Sequence, residues 1–99
     1  MARYRLTRAA DRDFENTFEF GIDRFGFTQA LDYQNGMKER FSQLAEQPDL
    51  YQAVDHIRKG YRRSVYQAHS IYYKLDDDLV LIIRILGRED PETSLPEKI

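Results

Sequence analysis

Ninety-nine residues with no cysteine, two histidines and a formal charge of −2 fit one domain spanning the chain and exclude disulfides, thiolate metal sites and cysteine nucleophiles. His56 and His69 are too few for a histidine-based metal centre. No apolar run approaches the ~20 residues of a membrane span, and the opening residues hold no apolar signal core, so a cytoplasmic protein without metal or cofactor is expected. Seven Tyr, six Phe and eleven Arg against four Lys are more aromatics than so small a core can hold, in the composition of an interface.

Taken in chain order, Arg3 to Leu6 alternates as a short strand. Thr7 can cap a helix whose apolar face is Ala10, Phe14, Phe18, Ile22 and Phe25, ended by Gly26. Phe20 lies roughly opposite Phe18, outside that face. Thr28 can cap a second helix with the stripe Ala30, Tyr33, Met37, Phe41 and Leu44, stopped at Pro48. The link between the helices is so short that they must form an antiparallel hairpin. Residues 49–59 read as a loop. Three strands follow at Tyr61–Tyr66, His69–Leu75 and Leu79–Leu86, joined by Gln67-Ala68 and by an Asp76-Asp77-Asp78 turn. The tail from Glu89 to Ile99, with two prolines, reads as irregular. The fold expected is α+β, in the order β-α-α-β-β-β. A helical hairpin packs on one face of a small antiparallel sheet.

The last strand carries the sharpest implication. Leu79, Leu81, Ile83 and Ile85 alternate with Val80, Ile82 and Leu86, the second set broken by Arg84. A strand apolar on both faces needs cover on both. The hairpin can supply one cover. A partner, a second copy or the tail must supply the other, which points to a groove for an amphipathic or extended segment.

Charge is segregated along the chain. Residues 11–47 carry eight acids against four bases, whereas His56 to Tyr66 holds Arg58, Lys59, Arg62 and Arg63 with no acid. No phosphate loop, nucleophile elbow, zinc helix or dinucleotide fingerprint is present. A catalytic reading would rest on clustered arginines stabilising an RNA phosphate, with Tyr61, Tyr66 or His69 as acid or base.

Six segments in order resemble one family. They are Tyr4-Arg-Leu-Thr-Arg-Ala-Ala-Asp-Arg-Asp, Arg24-Phe-Gly-Phe-Thr-Gln-Ala, Leu44-Ala-Glu-Gln-Pro-Asp-Leu, Ile57-Arg-Lys-Gly-Tyr-Arg-Arg, His69-Ser-Ile-Tyr-Tyr-Lys and Ile83-Arg-Ile-Leu. The chain is similar, over roughly residues 4–95, to the ParE branch of the ParE/RelE toxins. It departs from the usual pattern at Gln67-Ala68-His69, where the family has Gly-Ser-His, and in the segment after Leu86.

The resemblance implies a toxin of a type II toxin–antitoxin system that inhibits DNA gyrase by binding. It implies neutralisation in a hetero-oligomer by a ParD-like antitoxin whose tail wraps the toxin, with DNA met only through gyrase or antitoxin and no membrane. The alternatives are a RelE-like ribosome-dependent mRNA endonuclease and an inactive antitoxin-binding member. With no catalytic residue assigned, the antitoxin is expected on Arg62, Arg63, Tyr72, Val80, Ile82 and Arg84. The candidates for target contact are Arg58, Lys59, Phe20 and Arg88.

Overall fold

A computed structural model describes residues 3–97, so the last two residues of the expected tail lie outside it. The elements are β1 (Tyr4–Leu6), α1 (Arg8–Phe25), α2 (Phe27–Glu46), a 3-10 turn (Pro48–Leu50), β2 (Gln52–Ala53), β3 (Arg62–Tyr66), β4 (His69–Asp76), β5 (Leu79–Leu86) and the short α3 (Pro91–Ser94). They form the expected α+β fold, a helical hairpin on a sheet ordered β1-β5-β4-β3-β2.

Local chemistry accounts for most boundaries. The Thr7 side chain caps α1 by accepting from the Ala10 amide at 3.1 Å. Gly26, at φ 92°, closes α1 on the Ile22 carbonyl and also starts α2; that positive φ is open to glycine and strained for other residues. Thr28 therefore does not cap α2, which begins at Phe27 with no side-chain cap. A single linking residue leaves no room for one. In the inter-strand turns, Gln67 and Asp77 take positive φ values of 50° and 54°. Asp tolerates this region; at Gln67, where the family pattern carries Gly, it is strained.

The sheet differs from expectation in three respects. It is mixed, because β1 pairs in parallel with Val80 to Ile82 of β5, while the other pairings are antiparallel. A two-residue β2 within the expected loop pairs with Arg62 and Arg63. Along β5 the strict alternation fails. Tyr72 faces Arg84 and Tyr73 faces Ile82, so β5 carries one extra residue there, and a bulge of this kind flips the faces beyond it. Val80, Ile82 and Ile85 share the core under the helices with Ala10, Met37, Phe41, Leu44, Ile71 and Tyr73. Leu81, Ile83 and Leu86 join Val54, Tyr61, Tyr72 and Leu95 in a second core on the opposite face.

That second core corrects the inference of an open face. The chain covers it with its own residues 54–61 and with Leu95 of the tail, and Tyr72, Leu81 and Ile83 are no more than 3 % exposed. The stripe of α2 is as expected, with Ala30, Met37, Phe41 and Leu44 buried. The face of α1 runs out early, and Phe25 is 59 % exposed.

Two contacts give measurable consequences. A Cβ on Gly36, inside α2, would overlap the Tyr66 hydroxyl and come within 3.0 Å of its ring. Gly36→Ala should lose about 1–3 kcal/mol, and adding Tyr66→Phe should recover part of that. Equal thermal melting of Gly36→Ala and the parent chain would contradict this packing.

The buried Tyr73 hydroxyl donates to the Pro48 carbonyl at 2.7 Å, and burial pushes its pKa up to about 12, against the opposing pull of Arg62. A phenol raised above its unfolded value stabilises the fold fully below about pH 10 and loses that contribution as pH rises towards 12. Urea titrations should show an alkaline loss of stability that is shallower in Tyr73→Phe.

Candidate interaction surfaces

Arg40, Arg58, Arg62, Arg63 and Arg84 are held by the fold. β1 covers the outer edge of β5 only as far as Ile82. Beyond it, α1 closes the edge with side chains, as exposed strand edges require. The Thr7 amide donates to the Ile82 carbonyl at 3.0 Å. The Thr7 hydroxyl donates to that of Ile83 at 2.7 Å. The Asp13 carboxylate accepts the Ile85 amide at 3.0 Å. Asp13 also takes Arg84 as a fork, Nε to Oδ2 at 2.7 Å and Nη2 to Oδ1 at 2.9 Å. The Asp13 hydrogen bond raises the pKa of the guanidinium. Nη1 of Arg84 reaches the Ser94 carbonyl at 3.1 Å, so one side chain ties α1, β5 and the tail.

Arg58 lies beneath the tail. It donates to the carbonyls of Glu92, Leu95 and Pro96 and to that of Ile57, while the Tyr61 hydroxyl donates to the Pro96 carbonyl. Arg62 binds the Tyr51 carbonyl at 2.6 Å and pairs with Asp49 at 3.7 Å, securing the turn after α2. Arg63 reaches Gln52 at 3.1 Å. Arg40 was only one of the counted bases in the sequence. It lies over the Tyr51 and Tyr66 rings and donates to the Ser64 hydroxyl and the Val65 carbonyl, where β2 no longer shields β3.

The six residues expected to receive an antitoxin do not form one surface. Val80 and Ile82 are under the hairpin, 1 % and 0 % exposed, because the helices cover the face assigned to the partner. Tyr72 is on the opposite face, beneath the chain's own cover. Arg62 and Arg63 are half-buried on β3, and Arg84 is bound to Asp13 and Ser94. Among the target candidates, Arg58 holds the tail and Lys59 beside it is exposed.

Phe20 and Arg88 do come together, in a groove of about 720 Å³ between the hairpin and the end of the sheet. α1 contributes Thr17, Phe20, Arg24 and Phe25, the β3–β4 turn contributes Gln67 and Ala68, and Arg88 and Glu89 close the far side. Phe20 and Phe25 are each 59 % exposed, and the Arg24 guanidinium lies 5.3 Å from the Phe20 ring centre.

At the floor the Tyr33 hydroxyl lies 2.7 Å from His69 Nδ1 and donates to the Tyr66 carbonyl at 3.2 Å. Burial lowers the His69 pKa, outweighing the nearby Glu89 and Asp13 carboxylates. His69 thus favours its neutral form and is tied to a tyrosine. Of the acid–base candidates, Tyr66 pairs with His69 across the β3–β4 turn and both rings pack on Tyr33, whereas Tyr61 belongs to the second core.

The Asp13–Arg84 pair is the one whose loss should be felt most. Their side chains are 13 % and 23 % exposed, so Arg84→Ala should cost about 2–4 kcal/mol, below the full range for buried pairs. Arg84→Lys should recover little, because lysine cannot form the fork. Limited proteolysis should then cut first near Ser94. Unchanged urea stability of Arg84→Ala would count against this role.

Comparison with known proteins agrees with this architecture. The family model described as the ParE toxin of type II toxin–antitoxin systems, parDE, matches residues 4–91. The chain is 34 % identical to Toxin ParE1 of Caulobacter vibrioides over 86 residues, covering 87 % of this chain and 88 % of that protein. It is 29 % identical to Toxin ParE1 of Mycobacterium tuberculosis over 86 residues, covering 86 % and 88 %. A chain of the chromosomal ParDE TA system from P. aeruginosa superimposes with a TM-score of 0.78 at 19 % identity, covering 90 % of this chain and 98 % of that one, and so shares the fold. On these grounds the chain belongs to the ParE toxin family of type II toxin–antitoxin systems.

Proposed function

We propose that this toxin acts in the cytoplasm by binding DNA gyrase and blocking replication, and that a ParD-type antitoxin neutralises it in a hetero-oligomer. The observation that carries the reading is the state of Arg58, Arg62 and Arg84. A phosphate-cleaving site needs guanidinium groups free to meet a developing charge, with an acid or base alongside. Arg84 is bound by Asp13 and the Ser94 carbonyl, Arg62 by Tyr51 and Asp49, and Arg58 by the tail. The groups left exposed, Phe20, Phe25, Arg88 and Lys59, are suited to binding. Membership in the ParE family supports the same choice over RNA cleavage.

The purified chain should inhibit gyrase supercoiling in a dose-dependent way, and an equimolar ParD protein should restore it. Undiminished supercoiling at saturating toxin would refute gyrase as the target. Cleavage of ribosome-bound mRNA in the same preparation would favour the nuclease reading, and harmless expression without antitoxin would favour an inactive member.

A further inference from the structure

The β2 side of the sheet is only half covered. β2 runs beside Arg62 and Arg63 alone, so no strand lies along the outer edge of β3 from Ser64 to Tyr66. Backbone groups along an antiparallel strand point alternately to its two sides. The Tyr61 carbonyl accepts the Val54 amide at 2.9 Å on the outer side, which places the amide and carbonyl of Val65 on that side too. The Val65 side chain is 57 % exposed. A donor, an acceptor and an exposed β-branched residue on one uncovered edge are what a further strand pairs with.

Half-buried Arg40 of α2 reaches this place. Its Nη1 donates to the Val65 carbonyl at 2.9 Å and to the Ser64 hydroxyl at 2.8 Å, and its Nε donates to the Gln43 side chain at 3.2 Å. The guanidinium lies 5.6 Å from the ring centre of Tyr51 and 5.5 Å from that of Tyr66. Tyr51 immediately precedes β2 and Tyr66 ends β3, so both rings hold the charge beside the gap. An incoming strand would lose the Val65 carbonyl as acceptor and would have to strip water from a cation. The free edge of β5 is treated alike, with Thr7 and Asp13 taking its backbone groups.

We propose that Arg40 keeps this edge from pairing with a second copy of the chain. The edge is self-complementary, since a two-fold pairing takes one donor and one acceptor from the Val65 of each copy. β2, two exposed residues long, is the main-chain cover that such a pairing displaces. This role is independent of gyrase and of any antitoxin.

The test is sedimentation equilibrium of the full chain over a dilution series, with amide hydrogen exchange followed by NMR. Arg40→Ala should tighten self-association by about tenfold or more relative to the parent. The Val65 amide should exchange fast in the dilute parent and slowly in the concentrated variant. Val65→Lys puts a charge on the edge at an exposed position, so Arg40→Ala/Val65→Lys should return to the parent's association. Ser64→Ala takes one partner from Arg40 but leaves the Val65 carbonyl covered, and should also match the parent.

A folded Arg40→Ala chain that associates no more than the parent overturns the proposal. So does association that leaves Val65 exchange fast or survives Val65→Lys, because another surface is then responsible. Circular dichroism checks folding. If Arg40→Ala does not fold, Arg40→Met carries the same comparison, keeping an apolar stem against the rings without a donor for the carbonyl.

Discussion

β5 must be buried on both sides, and the arrangement of the molecule follows from that requirement. Val80, Ile82 and Ile85 draw the helical hairpin onto one face, and Leu81, Ile83 and Leu86 draw residues 54–61 and Leu95 onto the other. Each fully buried aliphatic side chain contributes roughly 1.5–3 kcal/mol, so neither cover can be dispensed with in a 99-residue chain. The bulge opposite Tyr72 and Tyr73 is part of the same solution. It turns Ile85 toward the helices and lets Leu86 rejoin the second core.

The polar counterpart is at the outer edge of β5. Three residues of β1 leave that edge unpaired beyond Ile82, and α1 closes it through Thr7 and Asp13. Once Asp13 is fixed there, Arg84 pairs with it and passes on to the tail. The basic segment before the sheet is used similarly, with Arg58 and Arg62 donating mainly to backbone carbonyls. The arginines around the second core and at the edge of β5 are thus taken up by the fold, while the exposed phenylalanines Phe20, Phe25 and Phe27 lie on the hairpin.

Much of this order was legible in the residues. The 3.6-residue spacing of Ala30, Met37, Phe41 and Leu44 defines α2, Thr7 announces the start of α1, and β5 has the bounds its apolar run suggested. What escaped depends on pairings distant in sequence. Nothing in Tyr4-Arg5-Leu6 specifies a parallel partner some 75 residues away, and two residues of β2 carry no pattern. The assignment of Val80 and Ile82 to an open face failed because alternation does not say which face the helices take. The bulge then regrouped Ile85 and Leu86. Charge counts located the arginines, but their acceptors are mostly backbone carbonyls, which every sequence has. Phe20 and Arg88, singled out as surface groups, meet in the groove because α1 and the residues after β5 converge there.

The parallel pairing of β1 with β5 also constrains how the toxin comes into being. The first strand has no partner until Val80 to Ile82 exist, and the second core lacks part of its cover until Leu95 exists. Long-range contacts of this kind form late in folding. While the chain is still being synthesised, the hairpin can form, but β1 and the apolar meander lack their final neighbours, and completion waits until the segment around Leu95 has left the ribosome. A ribosome stalled before that point holds an unfinished toxin whose exposed strands are matter for chaperones and proteases.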